Sequence, residues 1–350
     1  MVISGYIIKP PYWLVWHTLK VFGKLCPTAF YVDSLHDYHL VESVLPYIKS
    51  PYKIIARNKK TATELKNAGI NATSWPAFPQ VLIMTRHAFH RFPIKAIKKI
   101  GLRHGPYHFK KMIHHSKYNA FDMFLFTSQT EVEKALKLGI TNGVPGGYPR
   151  LDVFKSRQAI NKSIAVRNES SFYKDKTTLL FTATWDRSGL SAVDKWIGHL
   201  DELKDKYNVF VSLHPMMSDV YFNKIKEQNG VSLVSSKDLP AYMLASDYLV
   251  SDTSSVIAEY CSLDKGIITF KLKAQGRLTN EICEMIKDVS IQIDDVEEID
   301  AAVKQYKENP DLKRAEREKW SKMFFDDISV SHGEKAAKYI NSFIEKNTAG

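Results

Sequence analysis

Ser251-Asp-Thr-Ser-Ser-Val-Ile-Ala-Glu-Tyr-Cys-Ser-Leu-Asp-Lys-Gly-Ile-Ile-Thr-Phe270 reads as strand, polar turn, helix, strand. The apolar run in Asp247-Tyr-Leu-Val-Ser-Asp252 stops abruptly at polar residues. Val256, Ile257, Tyr260, Cys261 and Leu263 then recur at helical spacing. Three hydroxyl side chains therefore stand where the helix begins. The residues three beyond Thr253, Ser254 and Ser255 are Val256, Ile257 and Ala258, so no Glu or Gln folds back to complete a capping box. Two readings follow. Either the hydroxyls cap an ordinary buried strand–helix unit, or the helix start holds an outside anion, where the macrodipole places about half a positive charge and a phosphate is the favoured occupant.

The same alternation extends on both sides of this segment. Before it come a strand at Thr178-Leu-Leu-Phe-Thr-Ala-Thr184, a helix near Ala192 to Tyr207, a strand at Asn208-Val-Phe-Val-Ser-Leu-His214, a helix near Val220 to Asn229 and a strand at Val231 to Ser235. The first half shows strands at Phe30–Asp33, Tyr52–Ala56, Gln80–Thr85 and Phe121–Thr127. Its helices are expected at Val41–Ile48, Thr61–Asn67 and Gln129–Leu138, the last two stopped by Gly69 and Gly139. This pattern implies α/β architecture with parallel, helix-covered sheets. Gly143-Val-Pro-Gly-Gly-Tyr-Pro-Arg150 is dense in turn formers and is the expected linker. We therefore expect two Rossmann-like domains, 1–148 and 149–330, with a cleft between them, and a helix in 331–350 packing back on the first. In open sheets of this kind ligands bind beyond the carboxyl ends of the strands. That rule selects Asp33 to Tyr38, Arg86 and His87, Trp185 to Arg187, His214-Pro215, and Asp252 to Ser255.

A chain of 350 residues with 44% hydrophobic and 25% charged residues is long enough for two full cores and has the composition of a soluble globular protein. Cys26, Cys261 and Cys283 are too few and too widely spaced for a disulfide framework or a metal knuckle, which favours a reducing compartment. The N-terminus lacks a signal-peptide pattern and no apolar run approaches the ~20 residues of a membrane span, so a cytoplasmic protein is expected. The charge is concentrated. Residues 1–118 hold 18 Lys/Arg against four acids, a net +14, while the remainder holds 31 against 34, a net −3. Nine of the twelve histidines lie in the basic third. A polyanionic partner is implied, whether nucleic acid, an anionic membrane or a phosphate-rich substrate.

Several residues carry candidate chemistry. In Arg103-His-Gly-Pro-Tyr-His-Phe-Lys-Lys111, His104 beside a flexible turn suits removal of a proton from a hydroxyl at neutral pH. Arg103, Lys110 and Lys111 would stabilise a phosphorylated substrate. His214 stands at the end of its strand, either to donate to a phosphate oxygen or to cap the strand. Arg187 can meet a diphosphate in a forked contact. Glu259, one turn into its helix, either accepts from ribose hydroxyls or is solvated. His87, His90 and His114-His115 do not match metal-site spacings, and no D-x-D, P-loop, G-x-G-x-x-G or G-x-S-x-G pattern occurs. No metal and no cofactor is expected. Pro11-Tyr-Trp-Leu-Val-Trp-His-Thr-Leu-Lys-Val-Phe-Gly-Lys-Leu25 suits either an amphipathic helix at a membrane interface or a core helix, and Ile94-Lys-Ala-Ile-Lys-Lys-Ile100 adds to the membrane side. Nothing matches a nucleic-acid recognition motif, and the aromatics are not interleaved with basic residues as a stacking groove needs.

His104-Gly105 with its following lysines, Gly147-Tyr-Pro-Arg-Leu-Asp152, Thr182-Ala-Thr-Trp185, His214-Pro215 and Ser251-Asp-Thr-Ser-Ser255 stand in one order. In that order they resemble the CDP-glycerol glycerophosphotransferases that build teichoic acids and related capsule polymers. The resemblance runs from about Gln80 to Phe270. It implies a glycosyltransferase-B type fold with the nucleotide held mainly by the second domain. It also implies transfer of a polyol phosphate, glycerol phosphate first, from a CDP-activated donor to a hydroxyl of a lipid-linked or polymeric glycan acceptor, with release of CMP. His104 would match the family's base, His214 a phosphate contact, and Thr253, Ser254 and Ser255 the diphosphate site, with Asp252 in the same turn. The family commonly has an aromatic at the position of Thr253, an aspartate at that of Glu259 and often proline at that of Gly266. A peripheral enzyme on the inner face of an anionic membrane agrees with the basic first third, at about 1 kcal/mol per basic residue near such a surface. The competing readings are a UDP-sugar glycosyltransferase or UDP-sugar 2-epimerase of the same fold, and a non-enzymatic basic binding module.

Overall fold

The computed structural model describes residues 2–103, 105–107, 114–169, 172–272 and 278–348, with side chains described from residue 8 to residue 347. Contacts divide these residues into two units. The first takes the chain up to Gly105, residues 114–150 and the stretch from Phe325; the second takes Pro106 and Tyr107 together with Leu151–Phe324. Each is built on a sheet whose strands pair in parallel.

The first sheet contains β1 (Cys26–Val32), β2 (Tyr52–Ala56), β3 (Ala72–Ser74), β4 (Pro79–Met84), β5 (Lys98–Leu102), β6 (Met123–Phe126) and β7 (Gly143–Pro145) in the order β3-β2-β1-β4-β5-β6-β7. Its central strands are apolar on both faces, as a sheet covered on two sides requires. Phe30, Val32, Ile54, Val81, Ile83 and Ile100 form the core of one face. The C-terminal helix His332–Thr348 contributes Ala336, Ala337, Ile340 and Ile344 to that same core. Its entry is fixed by His332, buried, whose Nδ1 accepts from the Tyr148 N–H at 3.0 Å. Gly147 makes this approach possible: it sits at φ +83°, and a Cβ there would lie 2.7 Å from that nitrogen.

The second sheet contains β8 (Thr178–Ala183), β9 (Asn208–Leu213), β10 (Val231–Leu233), β11 (Tyr248–Ser251), β12 (Gly266–Phe270) and β13 (Ile291–Ile293) in the order β10-β9-β8-β11-β12-β13. Phe181, Val211, Val250, Ile268 and Trp196 centre its core. The absence of a side chain at Gly266 lets Tyr248 and Tyr306 stack at 5.4 Å and 21°, since a Cβ would meet both rings at 2.8–3.0 Å.

Three expectations are corrected. The helix expected at Val41–Ile48 is instead a short helix at Leu35–His39 followed by a 3-10 turn at Leu45–Tyr47, because Pro46 removes a backbone donor just where the helix would propagate. Gly143–Pro145, inside the expected linker, pairs with β6 as an edge strand. The apolar residues of Ile94–Ile100 are not available to an outside surface: Ile94, Ile97 and Ile100 are buried, and the buried Lys99 ammonium donates to the carbonyls of Ile94 and Ile97 at 2.9 and 2.8 Å. Burial lowers the Lys99 pKa, opposed by nearby Asp122.

Ile340→Ala removes a fully buried side chain shared by the helix and the first sheet. We expect it to lower unfolding stability by about 3 kcal/mol, read from urea denaturation of the purified chain.

Candidate functional site

Each sheet has one place where the strand order reverses, and there the helices leave on opposite faces, opening a crevice beyond the carboxyl ends. In the second sheet this point lies between β8 and β11. The residues emerging are Thr184 to Arg187 on one side and Asp252 to Ser255 on the other, so the opening segment of the sequence occupies the switch point.

Asp252 is fully buried beneath the turn. Its carboxylate accepts from the Thr184 N–H (2.8 Å), the Thr184 hydroxyl (2.9 Å), the Ala192 N–H (3.2 Å) and the N–H groups of Thr253 and Ser254 (2.5 and 3.0 Å). Burial raises its pKa, and the bonds from Thr184, Ala192 and Thr253 oppose that shift. Expected as a ligand contact, Asp252 is instead the bolt that joins the two sides of the crevice. Thr253 shares this work, its hydroxyl lying 3.3 Å from both the Leu190 carbonyl and the Thr184 hydroxyl.

The helix that follows, Val256–Cys261, has only six residues. So short a helix aligns little more than one turn of peptide dipoles, and anion attraction here rests on local donors rather than on a long macrodipole. Ser255 is the cap position with helical φ and ψ and makes no side-chain cap bond. Ser254 Oγ is 3.4 Å from the Val256 N–H. That bond uses Ser254 Oγ as an acceptor, so among the described residues the Ser255 N–H and the hydroxyls of Ser254 and Ser255 remain as donors of this turn for an outside oxygen. Glu259 is buried, at 5% exposure, which removes the solvated reading of this residue.

Neighbouring loops extend the rim. Arg187 is exposed in the 3-10 turn Asp186–Ser188 directly after β8. Asp186 ties that turn to the loop after β9 by accepting from the Ser218 N–H (3.1 Å) and hydroxyl (2.6 Å), and the latter bond lowers its pKa. His214 is exposed at the end of β9, with Nδ1 accepting from the Met216 N–H at 3.0 Å. A neutral ring in that arrangement carries its hydrogen on Nε2, so the outer nitrogen is a donor. Two strand spacings separate β9 from β11, placing His214 about 10 Å from the turn.

The sequence reading missed Tyr107. Buried in the second unit, its hydroxyl donates to the Ser254 carbonyl at 3.3 Å and its ring lies 6.0 Å from that of Phe324. Burial holds its phenol well above the ordinary value, with Cys261, Asp252 and Glu259 acting in the same direction, so it remains a donor. Its place in the block that begins at Arg103 was visible; its contact with a turn some 150 residues on was not. His104, Lys110 and Lys111 lie outside the described residues. Arg103 follows β5 and, after partial burial, is the next influence lowering the pKa of His87. Among the described residues no three His, Cys, Asp or Glu side chains are grouped to hold a metal ion.

Asp252→Ala strands several buried N–H donors at once. We expect a loss of about 3 kcal/mol in unfolding stability, read by urea titration, with Asp252→Asn intermediate because it keeps one acceptor oxygen.

Comparison with known proteins now bears on this geometry. Residues 53–279 match the sequence profile of CDP-Glycerol:Poly(glycerophosphate) glycerophosphotransferase. The chain is 25% identical over 306 residues to the teichoic acid poly(ribitol-phosphate) polymerase of Bacillus spizizenii, covering 80% of this chain and 46% of that one. It is 24% identical over 289 residues to the teichoic acid glycerol-phosphate primase of the same organism, covering 78% of this chain and 71% of that one. The chain thus spans about half the length of the first relative. Among solved structures, the wall teichoic acid polymerase TagF, in a variant soaked with CDPG, superposes with a TM-score of 0.64 at 15% identity over 99% of this chain and 98% of that one. At that identity the likeness carries the fold, two parallel-sheet α/β domains of glycosyltransferase-B type.

Proposed function

The chain belongs to the CDP-glycerol:poly(glycerophosphate) glycerophosphotransferase family, and on that premise we propose that it transfers a polyol phosphate from a CDP-activated donor to a hydroxyl of a lipid-linked or polymeric glycan acceptor. Glycerol phosphate is the first candidate for the transferred group. The observation that carries this reading is the β8/β11 switch point, where a prebuilt turn offers the Ser255 donors to an anion and Arg187 and His214 stand on the same rim. A diphosphate needs several such donors, and a nucleotide spans the ~10 Å between neighbouring loops of the sheet edge.

In the proposed step the acceptor hydroxyl oxygen bonds to the phosphorus that carries the polyol. The P–O bond to the bridging oxygen breaks, and CMP leaves with that oxygen. The hydroxyl proton passes to a base, for which His104 is the candidate on sequence grounds. Arg187, His214 and the Ser255 turn would take up the charge that builds on the leaving CMP.

Release of CMP from CDP-glycerol or CDP-ribitol in the presence of acceptor membranes tests the reading. We expect CMP release from at least one of them, lowered by ~10² or more in His104→Ala. Turnover of a UDP-sugar with neither CDP-polyol consumed would instead establish the glycosyltransferase or epimerase alternative.

Membrane attachment is part of the proposal. The helix Val2–Val21 is anchored on one side, with Tyr12 and Trp16 buried and Trp16 Nε1 donating to the Pro79 carbonyl at 2.9 Å. Its other side exposes Trp13, Leu14 and Val21, continued by Phe22, and Lys9, Lys20 and Lys24 flank them with no acid before Asp33. An apolar stripe bordered by cations suits an anionic lipid interface. No helix among the described residues is long and apolar enough to cross a membrane. Leu14→Glu combined with Val21→Glu should weaken binding to vesicles containing anionic lipid at least tenfold in a sedimentation assay, with the circular dichroism spectrum unchanged.

A further inference from the structure

The first sheet has its own switch point, between β1 and β4. We infer that this edge binds a phosphate of the acceptor through Arg57, Arg86 and Arg91, with Asp33 taking a hydroxyl beside it. The inference rests on the transferase reading for the identity of the ligand and on the first unit alone for its geometry.

The three arginines are brought to one rim by the strand order β2-β1-β4. Arg57 directly follows β2, and its N–H donates to the Val32 carbonyl at the end of β1 at 3.0 Å. Arg86 follows β4 by one intervening residue, and Arg91 closes the 3-10 turn Phe89–Arg91 just beyond. With adjacent strands about 4.8 Å apart, guanidinium groups leaving β2 and β4 can converge on one phosphate above β1.

Two of the three cations, Arg57 and Arg91, stand without an ion pair among the described residues, and two, Arg86 and Arg91, have side chains fixed by contacts of their own. Arg91 Nη1 donates to the Arg57 carbonyl at 3.2 Å, its guanidinium lies 5.5 Å from the centre of the Trp75 ring, and Trp75 Nε1 donates back to the Arg91 carbonyl at 3.1 Å. Neither Arg57 nor Arg91 has a carboxylate partner among the described residues. Arg86 donates through Nε to the buried Asp37 at 2.9 Å, an arrangement that fixes the side chain while its terminal nitrogens keep no partner among the described residues. Asp37 also accepts from the hydroxyls of Ser34 and Thr85, so its charge is fully used below the rim. The fixed guanidinium groups of Arg86 and Arg91 lose less freedom on meeting an oxyanion than a solvated lysine does, which distinguishes them from an ordinary basic surface.

The remaining acid on the rim is Asp33. Its Oδ1 accepts from the Tyr31 hydroxyl at 2.7 Å, and it forms no ion pair with a described arginine. It shares its surroundings with both unpaired arginines: partial burial, Arg91 and Arg57 lower the pKa of His90, while Asp33 raises it. A carboxylate for a hydroxyl next to arginines for a phosphate fits a phosphorylated polyol or sugar better than a bare anion. Such a ligand can come from the phosphodiester end of a growing polymer or from the diphosphate of a lipid carrier.

Equilibrium binding to the full chain tests the site, using a short glycerol phosphate oligomer and a water-soluble prenyl diphosphate as probes, with CDP measured on the same samples. Arg57→Gln combined with Arg91→Gln should weaken at least one probe tenfold or more while CDP affinity stays within twofold. Arg57→Lys with Arg91→Lys should recover part of the loss. Lys53→Gln with Lys66→Gln, which removes the same charge from exposed positions elsewhere on the unit, should change binding less than twofold. Loss confined to the oligomer identifies the polymer as the source of the phosphate, and loss confined to the prenyl diphosphate identifies the lipid. The inference is overturned if the double Gln variant binds both probes as the lysine control does, or if CDP affinity falls in parallel. Failure of CDP to bind the unmodified chain would defeat the donor reading and leave the probe comparison to decide this site by itself.

Discussion

The candidate site of the second domain depends on a carboxylate taken out of water. Burying an ionised carboxyl costs several kcal/mol unless hydrogen bonds replace the lost hydration, and Asp252 receives five of them from residues that leave β8 and β11. Donors from both strands converge on one small group, so the loops cannot separate without stranding charge and backbone N–H groups together. The turn is therefore in place before any ligand arrives, and ordering it does not detract from binding. Tyr107 adds a second restraint from a remote part of the chain by donating to the Ser254 carbonyl.

The first domain repeats the device with different residues. Asp37, also fully buried, follows β1 and accepts from Thr85 and Arg86 after β4. In both sheets an aspartate from one side of the switch point is engaged by a threonine from the other. What each edge offers above its bolt differs. The second edge presents a serine turn, one arginine and a histidine in a domain whose sequence is slightly acidic, whereas the first presents several arginines in the most basic third of the chain. Discrete donors suit a diphosphate of defined length, and a broad cationic field suits an extended polyanion.

Much of this was legible because the central strands are buried on both faces and rich in apolar residues, a pattern that two-sided burial imposes. Where that pressure is absent the signal fades. β3 and β7 are three-residue edge strands, Ala-Thr-Ser and Gly-Val-Pro, each with a single small or branched apolar residue that is too little to mark a strand. β5 was hidden by Lys98-Lys99, because sequence cannot reveal that backbone carbonyls wait for a buried ammonium. The Ser251–Phe270 segment gave the position of the candidate site but not the division of labour within it. That Asp252 faces inward while Ser255 keeps its donors depends on Thr184 and Ala192, about sixty residues away. Tyr107 was illegible for the same reason, its role resting on a contact across nearly half the chain.

A crystal structure of the chain with CDP bound tests the central claim most directly. The account predicts diphosphate oxygens within hydrogen-bonding distance, about 2.7–3.2 Å, of the Ser255 N–H or hydroxyl, with Asp252 unmoved beneath the turn. A nucleotide held elsewhere on the chain, with the β8/β11 switch point left to solvent, would contradict it.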